Sequence, residues 1–259
     1  MTKFIGLISA KGGVGKTTTT INLTSALHFF KRNVIALDAN FANPDLGIHL
    51  GVPNVTKNLH TSLKKKHSIR DSVYKHPSGI KIIPGSVSYK EGRTAARDNL
   101  LSVIYELFGT TEAVIIDSTP GLGRDAEAVI HASDCLLIVT TPDMCAVTGS
   151  LKMVKLAHEL EKEVLGIIVN RKRHDDYEMS EQNIAEFLGK PVIGVIPEED
   201  EIRNSLQTNH PLVISNPNNV ASIAFKKIAG ILIGEKYMDN VEMDEEDSMF
   251  NVTLKRLGF

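Results

Sequence analysis

Short apolar runs recur along the chain, with room for a helix between most neighbours. The first is Phe4-Ile5-Gly6-Leu7-Ile8, and six more follow at 33–38, 80–84, 113–117, 135–140, 164–170 and 192–197. They are continuous rather than alternating, which suits parallel strands buried on both faces. Between them, 98–108, 147–162 and 180–188 carry apolar residues at helical spacing. Strand alternating with helix predicts an α/β fold: a doubly wound, mainly parallel sheet with helices on both faces. A last helix is predicted from Asn216-Pro217, with proline in the first turn where its missing N–H costs little, to a stop at Gly234. No internal repeat is visible, and one domain over 1–234 accounts for all seven runs.

The pattern then changes twice. Residues 235–247 hold seven acidic side chains, one lysine and a single aromatic, Tyr237. Such a stretch buries too little apolar surface to offset the entropy of ordering, so it reads as a flexible linker. Residues 248–259 turn apolar and basic again.

Composition narrows the picture only slightly. In 259 residues, 42% apolar and 23% charged side chains are ordinary for a globular chain, and a formal charge of −2 gives no global reason to expect nucleic-acid binding. The two cysteines, Cys135 and Cys145, form neither a disulfide framework nor a metal-ligand spacing and read as reduced thiols. The chain opens directly on a strand-like segment without a leader pattern, and no apolar run approaches a membrane span. A cytoplasmic protein is expected, with peripheral attachment to the inner face of the membrane open to it.

The candidate chemistry begins where the first strand ends. Lys11-Gly12-Gly13-Val14-Gly15-Lys16-Thr17-Thr18 is a variant phosphate loop opened by a lysine, with a strand before it and a helix starting near Lys16. The three glycines let backbone N–H groups turn inward onto phosphate oxygens, and the helix N-terminus adds partial positive charge. Lys16 is expected to reach the β and γ phosphates of ATP or ADP, and the Thr17 hydroxyl to bind Mg²⁺. Two strands end in aspartate, Asp38 and Asp117, and with Thr17 they are the candidate magnesium shell. Thr119-Pro120-Gly121 follows at once, and a backbone N–H at Gly121 is placed to sense the γ-phosphate.

With these residues the sequence resembles the deviant Walker A ATPases, a group including MinD, ParA and the nitrogenase iron protein. The resemblance covers nearly the whole chain and is strongest to the MinD family. It implies that Lys11 reaches across an ATP-driven homodimer to the partner's nucleotide. Asn170-Arg171 looks like the family's adenine-reading pair, and Pro197, Glu198 and Glu199 look like the segment bordering the adenine. One position departs from the pattern. The family's second strand usually ends Asp-x-Asp, and here it reads Asp38-Ala39-Asn40. An amide orients water but cannot take its proton, so slow hydrolysis is expected.

Residues 248–259 are similar to the family's membrane-targeting tail. On a helical wheel Phe250, Leu254 and Leu257 share one side, Lys255 and Arg256 flank the other, and Val252 and Phe259 fall off the stripe. The pattern leaves open an anchor on an anionic membrane surface or a helix docked on the protein's own body. The resemblance implies recruitment of a protein partner that the sequence does not identify. A ParA-like DNA-partitioning ATPase is the alternative, supported by Lys64-Lys65-Lys66-His67 with Arg70 and Lys75 nearby. Metal-cluster relatives would place cysteines differently, and a kinase of this fold would end in a tyrosine cluster.

Overall fold

The computed structural model describes residues 1–237 except Asn54 and His174. Its centre is an eight-stranded sheet of β1 (Lys3–Ile8), β2 (Val34–Ala39), β3 (Tyr74–Lys75), β4 (Lys81–Ile83), β5 (Ala113–Ser118), β6 (Cys135–Thr140), β7 (Glu163–Lys172) and β8 (Val192–Pro197). The order is β3-β4-β2-β5-β1-β6-β7-β8, parallel except where β3 pairs antiparallel with β4. All seven apolar runs are strands. The eighth, β3, is a two-residue edge strand with no apolar run to announce it.

The helices are α1 (Lys16–Phe29), α2 (Leu46–His49), α3 (Leu59–Leu63), α4 (Tyr89–Arg93), α5 (Leu100–Ile104), α6 (Arg124–Ala132), α7 (Met144–Glu159), α8 (Glu181–Leu188), α9 (Asp200–Gln207), α10 (Leu212–Ser215) and α11 (Val220–Ile233). The sheet alternates its side chains between two layers. Ile5 and Leu7 of β1 pack with Leu23 and Leu27 of α1 and with Phe225 and Ile228 of α11. Phe4 faces the other way, onto Leu100, Val103, Ile104 and Val129 of α5 and α6. Ile8 joins Val147 and Met153 of α7 and Ile184 of α8 on that same side.

Two helix expectations need correction. The last helix starts later than Pro217, because the Asn219 side chain accepts from the Ala221 N–H and caps a helix that begins at Val220. It ends as expected at Gly234, whose φ of 69° suits glycine. The stretch 98–108 is not one helix. It passes from a 3-10 turn (Arg97–Asn99) through α5 into a second 3-10 turn (Tyr105–Leu107). Among the described residues no helix is long and apolar enough to cross a membrane. Most of the acidic linker and all of Phe250, Leu254, Lys255, Arg256 and Leu257 lie outside the described residues.

Candidate functional site

In a parallel sheet every strand delivers its last residues to the same edge, and ligands gather where the winding reverses. Here β1 lies between β5 and β6, and the loop from its end to α1 sits at that reversal. Gly13 and Gly15 have φ of 80° and 88°, a left-handed conformation that L side chains avoid. A side chain at Gly15 would also run into the amide of Asn170, so glycine is required there twice over. Val14 is buried in the core under the loop and pins it to the sheet.

Lys16 opens α1 and turns back beneath the loop. Its ammonium, almost wholly buried, donates to Asp117 Oδ1 at 2.9 Å and to the Ser118 carbonyl. Thr17 Oγ1 donates to the other oxygen of Asp117 at 2.6 Å. Asp38 is the register partner of Asp117 on the neighbouring strand, which brings both acids to one depth. The Asp38 oxygens accept from the N–H groups of Asn40 at 3.1 Å and Leu46 at 3.0 Å. Burial, and then the charge of Asp117, push the Asp38 carboxyl well above its ordinary 3.8 despite those bonds and Lys16. Asn40 is buried beside it, its Oδ1 accepting from the Asn43 N–H at 3.3 Å.

Lys11 stands at the mouth of the site with half its side chain exposed, 3.7 Å from Asp143 Oδ1. Asp143 caps α7 and accepts from the Ala146 N–H at 2.9 Å. Partial burial works against its charge, but bonds from Thr141 and Ala146 and the nearby Lys11 hold its carboxyl below 3.8. From β7, Asn170 Nδ2 donates to the Val14 carbonyl at 2.7 Å.

The residues 5–212 match the sequence pattern of the CobQ/CobB/MinD/ParA nucleotide-binding domain. The chain belongs to this family. An uncharacterised ATP-binding protein of Methanocaldococcus jannaschii is 34% identical over 93% of the chain and 92% of its own length. The septum site-determining protein MinD of Synechocystis is 27% identical over 99% of both. Among solved structures, MinD of Pyrococcus horikoshii complexed with Mg-ADP is 30% identical. It covers 88% of this chain and 95% of its own, with a TM-score of 0.84. The MinD/ParA domain thus supplies both the fold and the phosphate loop described above.

Within this MinD/ParA domain the sequence-predicted residues divide into two groups. The loop residues 11–18, Asp38, Asn40, Asp117 and Asn170 converge on one edge of the sheet. Gly121 joins them with its N–H donated to the Ser9 carbonyl at 2.9 Å, so the donor is engaged with the end of β1. Arg171, Pro197, Glu198 and Glu199 form a neighbouring cluster. Arg171 holds φ 61° and its Nε lies 3.4 Å from Glu198, while Glu199 accepts from Asn219 Nδ2 at 3.1 Å, facing the start of α11. Sequence reasoning named Thr119 without giving its side chain a role, and missed Ser118 and Asp143, whose partners Lys16 and Lys11 are distant in sequence. Among the described residues the Thr119 hydroxyl, two positions beyond Asp117, is buried with no hydrogen-bond partner.

Proposed function

We propose that the chain is a MinD-like ATPase switch. ATP binding assembles a homodimer that holds to an anionic membrane through residues 248–259 and recruits a protein partner for division-site or polar positioning. Hydrolysis to ADP and phosphate then releases it. The observation that supports this most is the convergence of Lys16, Thr17, Asp38 and Asp117 under a glycine loop with an exposed Lys11 at its mouth.

Backbone N–H groups of Gly12, Gly13, Val14, Gly15 and Thr18 cradle phosphate oxygens, and Lys16 leaves Asp117 to neutralise the β and γ phosphates. The donors around Asp117 fit Mg²⁺. The Thr17 hydroxyl and two carboxylates are hard oxygens, and the buried Thr119 hydroxyl, two residues beyond Asp117, has no hydrogen-bond partner among the described residues. Bound there, Mg²⁺ would offset phosphate charge, held by Thr17, Asp38 and Asp117. Asn40 orients the attacking water by hydrogen bonding and takes no proton from it, which keeps turnover slow. Asn170, with Arg171, Pro197, Glu198 and Glu199 beside it, forms the adenine side. Its Nδ2 is committed to Val14, and its Oδ1 is the atom that would accept from the adenine amino group. Lys11 leaves Asp143 to reach the nucleotide of the second copy.

Co-sedimentation with anionic liposomes tests the reading, using the full chain and one ending at Asp247, each with ATP and with ADP. Pelleting that requires both ATP and residues 248–259 is the expected result. No pelleting in any condition, with salt-sensitive ATP-dependent binding to duplex DNA instead, would replace this reading by a ParA-like one.

A further inference from the structure

The stretch from Arg97 to Leu107 and the residue after it carry an apolar stripe that nothing among the described residues covers. Leu101, Tyr105 and Phe108 follow at spacings of four and three and are 52%, 59% and 37% exposed. Leu100, Val103, Ile104 and Leu107 take the opposite side and fill the core. The Tyr105 and Phe108 rings stack 5.2 Å apart, making an aromatic platform at the end of the stripe.

This stripe has a basic border. Arg70 Nε donates to the Glu106 carbonyl at 2.6 Å, which lays the guanidinium against the aromatic turn. Asn99 Nδ2 donates to the Leu63 carbonyl at 3.3 Å, which sets Lys64-Lys65-Lys66 beside the start of the stripe. Lys65, Lys66 and Arg70 are exposed, and Lys64 donates to the Thr94 hydroxyl. The acids of the stretch are Asp98 at its start and Glu106, which accepts from the Ser68 hydroxyl. The chain leaves the body nearby. Arg32 bridges Glu235, at the start of the acidic linker, and Glu112, four residues beyond Phe108.

We propose that this face is a second membrane-contact surface. Leu101, Tyr105 and Phe108 enter the interfacial layer of an anionic bilayer, and Lys64, Lys65, Lys66 and Arg70 meet its headgroup phosphates. The proposal rests on the membrane reading of residues 248–259. A single short amphipathic anchor binds weakly, and a second contact on the same body adds avidity without tightening the first. Residues 238–249 span at most about 40 Å when extended, so an inserted tail holds this end of the body close to the lipid. Charge gives the tail itself no hold as occupant, because the charged side chains of 248–259, Lys255 and Arg256, have the same sign as the border.

The chain contains no tryptophan, so Tyr105→Trp supplies a single emitter on the platform. With ATP, Mg²⁺ and phosphatidylcholine–phosphatidylglycerol vesicles, its emission should shift to the blue and be quenched by brominated lipids. Co-sedimentation is read on the same sample. Tyr105→Ser combined with Phe108→Ser should weaken vesicle binding about tenfold while ATP binding is unchanged. Vesicle-bound protein whose tryptophan stays red and unquenched overturns this proposal and leaves the tail reading intact. Failure of the full chain to bind vesicles overturns both. Emission that is blue before vesicles are added, and reddens on dilution or on removal of 248–259, puts protein rather than lipid on the stripe and also overturns it.

Discussion

Asn40 closes the turn after β2 by accepting from the Asn43 N–H, a bond that a carboxylate would accept equally well. Asn40→Asp therefore changes the chemistry with little change of shape. It is expected to speed phosphate release at saturating ATP and Mg²⁺ by about tenfold or more, since general-base assistance contributes ~10²–10⁴. Phosphate release no faster than that of the parent chain would remove Asn40 as the cause of slow turnover. The next residue, Phe41, is held by a group that the sequence hides. His60 is fully buried, its Nδ1 accepting from the Ser86 N–H at 3.0 Å, so its Nε2 carries the proton and donates to the Phe41 carbonyl at 3.2 Å. Burial lowers its pKa below the ordinary 6.5, against the Phe41 carbonyl, which raises it. Between the two values the unfolded chain binds a proton that the folded chain refuses, so this contribution is complete above about pH 6.5 and is lost as pH falls. Urea midpoints should fall between pH 7 and pH 5, and less steeply in His60→Gln. His60→Ala should cost about 1–3 kcal/mol at pH 7 by leaving two buried backbone groups unpaired.

Lys226 joins two elements that the hydrophobic pattern treats as merely adjacent. It is a buried cation on α11 whose Nζ donates to the Pro217 carbonyl at 2.7 Å and lies 4.6 Å from the centre of the Phe29 ring. Lys226→Met keeps the stem and removes the donor. The expected loss is about 1–3 kcal/mol, read as a lower urea midpoint with an unchanged slope. A midpoint within error of the parent would show that the carbonyl finds water instead. Nothing in the spacing of 216–234 marks Lys226 as interior, and the same reading started the helix at Pro217 rather than at the Asn219 cap. Long apolar runs were legible because burial on both faces leaves only one composition, and all seven became strands. Tyr74–Lys75 carries no such constraint, since an edge strand has one neighbour. The stretch around α5 looked continuous because its inward face, Leu100, Val103, Ile104 and Leu107, keeps helical spacing from α5 into the second 3-10 turn. For the candidate site, the loop and both strand-ending acids were visible as local patterns. Asp143 and Ser118 were not, because each matters only through a lysine distant in sequence.

At the scale of the whole molecule the proposed dimer turns on Lys11, half exposed and within 3.7 Å of an acid of its own chain. Lys11→Ala is expected to leave one-to-one binding of ATP intact and to abolish the dimer seen by light scattering with ATP. A dimer that survives the change would assign assembly to other surfaces. The ion pair beneath the loop has a consequence of its own. Lys16 and Asp117 neutralise each other, so the proposed site begins with no charge to offer to either ligand alone. A nucleotide that draws Lys16 away strands Asp117 as a buried anion, and a cation that takes Asp117 frees Lys16 for phosphate. Each ligand thus improves the affinity for the other, and by reciprocity to the same degree. The molecule then acts as a coincidence detector: one buried ion pair makes its state answer to the joint supply of nucleotide and metal rather than to either concentration by itself.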